Sequence, residues 1–260
     1  MSEPVRMRVL IAFDCSHPSS EALQRLPQLL GSESLELTAL YVEDEDLMRA
    51  ARLPGLREIS LSGQEVELSV DRIEQDMARD LVRLRNAFEH TARELQLHYR
   101  FEVARGRVSE TLCAAASESD FVLVTRTLRR SGLRARTAPQ FESLASQARR
   151  ILFVNEPWAS GSSIVVLGAD PIVIEAGARL AEAEALRLII TLPRLAGMPE
   201  HLPSQATIVR TQDWSEDAIA NLCLQQDARL LIVPGDATLD TGALLTRLLD
   251  RLPCSLLKLG

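Results

Sequence analysis

Two carboxylates stand at the ends of apolar runs. Asp14 closes the run at 8–14, RVLIAFD, and Asp170 closes the run at 164–170, IVVLGAD. An acid at the point where a buried strand gives way to a helix can contact a ligand, and it can equally cap the helix or close the turn. For Asp170 the following Pro171 favours the cap, because proline suits the first helical position. A second group is cationic: Arg126, Arg129, Arg130, Arg134 and Arg136 fall within eleven residues. Guanidinium groups so placed can hold an anion by paired N–H donors. They can also form a solvated loop, or pair with the acidic segment Glu43–Asp46. His17, His90, His98 and His201 show no metal-pair spacing, and the run from Asp14 through Ser16 to His17 is no triad, since triads are defined by geometry. Cys15, Cys113, Cys223 and Cys254 form no CxxC and read as small buried hydrophobes. No nucleophile–base set stands out, so an enzyme is not expected.

These groups need a scaffold, and the hydrophobic pattern supplies one. Short apolar runs alternate with helical periodicity, which implies parallel strands with helices on both faces. The strands are read at 8–14, 35–42, 99–103, 121–125 and 151–154, then again at 164–167, 186–192, 206–210, 230–233 and 255–259. The clearest helix is 70–95, where Val70, Ile73, Met77, Leu81, Leu84, Phe88 and Leu95 make one stripe opposite Arg72, Gln75, Arg79, Arg83 and Asn86. Residues 43–63 read as an excursion loop with a short helix at 46–52. The segment NEPWASGSS at 155–163 reads as a linker, with Trp158 as a packing anchor; Trp214 reads likewise.

The element order repeats. Glu21-Ala22-x-x-Arg25-Leu26 returns as Glu175-Ala176-x-x-Arg179-Leu180, and Ser109-Glu110 returns as Ser215-Glu216. The expected domains are a complete module at 1–156 and a degenerate one at 162–260. The second has only residues 193–205 where the first has its long helix, so it lacks one crossover helix. Its sheet would be bare there, and the other half or a second chain is expected to cover it.

Composition narrows the partners. The 260 residues carry a net charge of −7 with 46% hydrophobic and 4% aromatic residues. An acidic chain poor in aromatics argues against nucleic acid. The apolar runs are too short to span a bilayer, so no membrane partner is expected and the cytoplasm is the expected location.

The segments VLIAFDCSHPSSEAL at 9–23, LELTALYVED at 35–44, 105–125 and LLDRLPCSLLKL at 248–259 together resemble the universal stress protein family over nearly the whole chain. The resemblance implies an α/β fold of two tandem flavodoxin-like modules, each a doubly wound, parallel five-stranded sheet, forming a pseudo-dimer with the second module reduced. Fifth strands pair in this family, so 151–154 should pair with 255–259. ATP-binding relatives carry G-x2-G-x9-G-(S/T) after the fourth strand. Here Thr125 to Leu128 and either Thr137-Ala138 or Ala138-Pro139 stand in its place, and the second half keeps only Gly242, with Pro234, Ala237 and Ala243 at the other positions. Asp14 matches the acid that contacts adenosine, Asp170 is its counterpart, and Val42 matches the residue beside the base. The implied function is a non-enzymatic stress-response regulatory or interaction protein with a degenerate ATP motif and no cofactor. The alternative is a nucleotide or anion switch that binds ATP or AMP through Asp14, Val42, Arg129 and Arg130. The expected partners are a second tandem chain, as a homodimer, and an unidentified protein.

Overall fold

The computed structural model describes residues 6–12, 20–30, 34–53, 55, 57–59, 65–67, 69–127, 139–156, 158, 161–199, 202–212, 214–235, 245 and 247–260. The first half runs β1 (Arg6–Ala12), α1 (Ser20–Leu30), β2 (Ser34–Asp44), α2 (Glu45–Ala51), β3 (Arg57–Ile59), β4 (Glu65–Glu67), α3 (Val70–Glu94), β5 (His98–Gly106), α4 (Val108–Ser117), β6 (Phe121–Thr127), α5 (Pro139–Gln147) and β7 (Arg150–Glu156). The second runs β8 (Ser163–Leu167), α6 (Pro171–Ala183), β9 (Arg187–Pro193), β10 (Ala206–Thr211), α7 (Glu216–Gln225), β11 (Ala228–Pro234) and β12 (Ser255–Leu259), with helical residues at 245 and 247–249 before the last strand. The short helix expected at 46–52 is present as α2, while the region read as a loop at 43–63 also carries the end of β2 and the strand β3, which pairs antiparallel with β4 just beyond it.

One 10-stranded sheet holds both halves, in the order β10-β9-β8-β11-β12-β7-β6-β1-β2-β5. Counted within its own half, each set of five has the order 3-2-1-4-5, and all pairs within a half are parallel. The strands are apolar on both faces because both faces are covered. Val9 and Ile11 enter the core shared with α1, α3 and α6, while Leu10 and Ala12 enter the one shared with α4, α5 and α7. On α3, Ile73, Leu84 and Phe88 are buried, and the opposite face of Arg72, Gln75, Arg79, Arg83 and Asn86 is exposed. Ser69 caps that helix by accepting from the Arg72 amide.

The expected fifth-strand pairing is present and antiparallel: Leu256 faces Phe153 and Lys258 faces Ile151. Two buried polar side chains cross this seam in opposite directions. The Lys258 ammonium donates to the carbonyls of Ala145 (2.6 Å) and Ala148 (3.0 Å) at the end of α5. Asn155 Nδ2 donates to the Cys254 carbonyl at 2.7 Å, and its backbone N–H donates to Ser255 Oγ at 3.1 Å. Each half therefore satisfies carbonyls just before the other half's last strand. Above the seam, Glu184 at the end of α6 binds Arg25 of α1 and Arg229 of β11. Arg25 also lies over the Trp158 ring, 5.5 Å from its centroid.

The segment read as a linker is thus packed rather than a loose tether. Trp158 is buried, and Gly161 lies against the turn before β11, where a Cβ would come within 2.6 Å of the Asp227 carbonyl oxygen. Among the described residues between β9 and β10 there is no helix, in keeping with the lost crossover. Part of the sheet there is covered by the connection itself. Ala196 and Leu202 of the short connection pack on the same core as β9. Arg210 holds that connection by donating to the carbonyls of Pro193, Arg194 and Ala196.

Candidate functional site

In each half the strand order reverses between the first and fourth strands, β1 and β6 or β8 and β11. Open α/β sheets bind ligands at such switch points, outside the carboxyl ends of the strands. In the first half the switch-point notch is bounded by β1, described to Ala12 level with Leu40 of β2 and Val124 of β6, and by β2 and β6, described through Asp44 and Thr127. Asp14 follows the end of β1 by two residues, and Arg129 and Arg130 follow the end of β6 by two and three. All three lie outside the described residues. Val42 is half-buried near the carboxyl end of β2, opposite Ala104, and packs with Ala104 and Val108 toward the α4-side core. The described carboxyl end of β2 is therefore apolar at Val42.

The phosphate side is different. Thr125, Arg126 and Thr127 still pair with Val154, Asn155 and Glu156 of β7. In an extended strand successive N–H groups point to opposite sides, whereas a phosphate cradle needs successive amides turned into one concavity. The residues at the position of the glycine motif thus do not fit a backbone phosphate site. An anion here would have to be held by side chains.

The second notch is filled by the chain itself. β8 ends at Leu167 and leads into Gly168 at φ +95°, a conformation that favours glycine. A Cβ on Gly168 would lie 3.8 Å from both the Pro234 ring and the Trp214 indole, so these two side chains close over the strand end. Asp170 is spent locally: its carboxylate accepts from the Ile172 amide at 2.7 Å and caps α6, with Pro171 in the first turn. Trp214 acts as the packing anchor expected of it, half-buried against the α7-side core, and its indole N–H has no partner among the described residues.

The acidic rim beside the first notch has described partners that the sequence reading left out. Asp44 accepts from the amides of Asp46 and Leu47 and caps α2. Glu45 pairs with Arg49 at 3.0 Å, and Asp46 pairs with Arg107 at 3.6 Å. The Arg107 guanidinium is pushed above its ordinary value, first by its hydrogen bond to Glu110 and then by the nearby carboxylates. The sequence signal was available, since Arg107 and Glu110 flank the start of α4, but only the β2–β5 pairing brings Asp46 to them.

Among the described residues no group of three or more His, Cys, Asp or Glu converges as a metal site. His90 sits beside Glu94 on the exposed face of α3. Cys113, Cys223 and Cys254 are buried, and a hydrogen bond between Cys223 and Cys254, with burial, pushes the Cys223 thiol up. No described helix is long and apolar enough to cross a membrane.

No family model matches the chain, and no curated protein matches it. Solved structures do. A universal stress protein from Archaeoglobus fulgidus superposes with a TM-score of 0.62 at 12% identity, over 97% of this chain and 95% of that one. A putative universal stress protein from Pseudomonas aeruginosa superposes with a TM-score of 0.53 at 15% identity, over 98% and 93%. Coverage of nearly the full length on both sides means that the whole 10-stranded arrangement is matched, beyond a single half. The chain has the tandem α/β fold of the universal stress proteins.

Proposed function

We propose that the chain is a non-enzymatic regulatory or interaction protein of universal stress protein type, acting in the cytoplasm, with degenerate nucleotide sites. The observation that carries this reading is the filling of the second notch by Trp214 and Pro234. The strand conformation of Thr125–Thr127 at the glycine position of the first half agrees with it. Association of two tandem chains, and recruitment of an unidentified protein, belong to the same reading. The test is to heat-release any small molecule from freshly purified protein for mass spectrometry, then to titrate ATP, ADP and AMP by calorimetry. The reading expects no copurified nucleotide and no saturable heat that depends on Asp14. Copurified ATP, or hydrolysis of added ATP, would overturn it.

A second reading has its own support in the half-buried, apolar Val42 at the carboxyl end of β2. There the first half is a nucleotide or anion switch that holds ATP or AMP through Asp14, Arg129 and Arg130. Saturable nucleotide binding, lost in Asp14→Ala and in the Arg129→Ala/Arg130→Ala double variant, would establish it in place of the first.

A further inference from the structure

A second cleft lies at the opposite edge of the first half, at the amino ends of its strands. It measures about 590 Å³ and is lined by the starts of β1, β6 and β7 and the ends of α4 and α5. This volume lies within the range typical of small-molecule sites. Four guanidinium groups line it: Arg6, Arg8, Arg149 and Arg150. Among the described side chains that line it one is a carboxylate, that of Asp120, and it is already engaged; Gly260 lines it as well. It accepts from the Arg8 backbone at 2.9 Å and from the Arg8 side chain at 3.5 Å. The Arg8 contacts and the neighbouring Arg150 charge hold this carboxyl below its ordinary range.

Arg6, Arg149 and Arg150 have no carboxylate within ion-pairing distance among the described residues. Several other arginines differ in this respect: Arg49, Arg57, Arg79, Arg83, Arg93 and Arg107 each stand against an acid. The carbonyl ends of α4 and α5 face the cleft and supply about half a negative charge each. They offset some of the excess and leave the concave surface net positive in its described side chains. Arg6, Arg8 and Arg149 are exposed and able to reorient, while Arg150 is half-buried at the cleft wall.

We propose that this cleft binds a small molecule carrying two or more linked phosphate groups. Several guanidinium groups around one concavity match several oxyanions with paired N–H donors, where a single orthophosphate would leave most of them unused. The cleft is distinct from both switch-point notches. Ser117 and Ser119 on its wall already donate their hydroxyl hydrogens to the Ala114 and Ala115 carbonyls, which leaves recognition to the arginines.

The test uses inorganic tripolyphosphate as the probe, titrated into the full chain by calorimetry, with orthophosphate and ATP in parallel. Saturable binding of tripolyphosphate is expected, weaker as ionic strength rises because exposed charges are screened. The Arg6→Gln/Arg149→Gln double variant should lower the affinity by about tenfold or more. A thermal melt of the variant checks its fold. If the variant does not fold, deuterium exchange on the unaltered chain takes its place, with slower exchange at 117–120 and 147–150 expected on adding tripolyphosphate. Absence of binding at millimolar probe, binding that survives the double variant, or binding lost instead in Asp14→Ala would overturn the proposal. ATP binding that depends on Asp14 but not on Arg6 and Arg149 would bear on the first notch alone, so the two sites fail separately.

Discussion

Replacing Glu184 by alanine tests whether the two halves are locked by charge. The Glu184 side chain is 9% exposed and lies between Arg25 at 26% and Arg229 at 19%. Arg25 belongs to the first half, and the other two residues to the second. Removing the acid leaves two partly buried cations with no counter-charge between them, and a buried pair broken on one side costs about 3–5 kcal/mol. For a chain of this length, about 2–4 °C in Tm accompanies each kcal/mol, so Glu184→Ala should lower Tm by roughly 10 °C. The control is Glu175→Ala, which removes the exposed 3.2 Å pair to Arg179 on α6 and should cost under about 1 kcal/mol. Urea midpoints with a common slope give both values. A Glu184→Ala midpoint indistinguishable from that of Glu175→Ala would refute the reasoning. So would a triple apolar replacement, Arg25→Met/Glu184→Leu/Arg229→Met, that loses as much as Glu184→Ala alone, because removing all the charges together should be close to neutral.

Three further outcomes follow from particular groups. Burial pushes the Lys258 ammonium below its ordinary value. In the window between its folded pKa and the unfolded value of about 10.4, the unfolded chain binds more protons, so stability rises with pH there. Lys258→Met should flatten that rise in urea midpoints measured across the alkaline range, and an unchanged slope would contradict it. Asp170→Ala should cost about 1 kcal/mol as a lost helix cap while leaving any nucleotide titration as it was; a change in nucleotide binding would make Asp170 a ligand contact after all. Cys113 and Cys223, whose thiols are pushed up by burial and, for Cys223, first by its bond to Cys254, should react with a thiol reagent only after denaturation. Fast native labelling at either, located by peptide mapping, would count against the packed core.

Much of the architecture was legible because it rests on periodicity. The Val70 stripe, the all-apolar fourth strand and the repeated element order each report a face that must be buried, and each is where the pattern put it. The β3–β4 hairpin was missed because its strands are three residues each and polar, with too few positions to show an alternation. The packing of the linker was legible only through Trp158. Proline, serine and glycine mark irregular backbone, but they do not say whether it is packed, and Gly161 is needed here for close approach rather than for freedom. The acid at Asp170 could be weighed correctly from Pro171 alone. The closure of the second notch could not, since Trp214 and Pro234 are distant in sequence from Gly168 and meet only through the sheet order.

The antiparallel seam gives the asymmetry of the halves a spatial consequence. Because β7 and β12 run in opposite directions, the carboxyl edge of the second half lies on the same side of the sheet as the amino edge of the first. Contacts at that edge are direct: Gly235 at the end of β11 lies against Gly260, and Gly260 lies against the Arg149 carbonyl. The arginine-lined cleft therefore adjoins the edge at which the second half has closed its own notch with Trp214 and Pro234. The switch point of the first half lies on the other edge. A duplicated module would place two equivalent sites at opposite edges of the sheet; in this chain the arginines of the cleft gather instead beside the strand end that Trp214 and Pro234 close. The cleft and the first switch point lie on opposite edges, so a ligand at one should not compete for space with a ligand at the other.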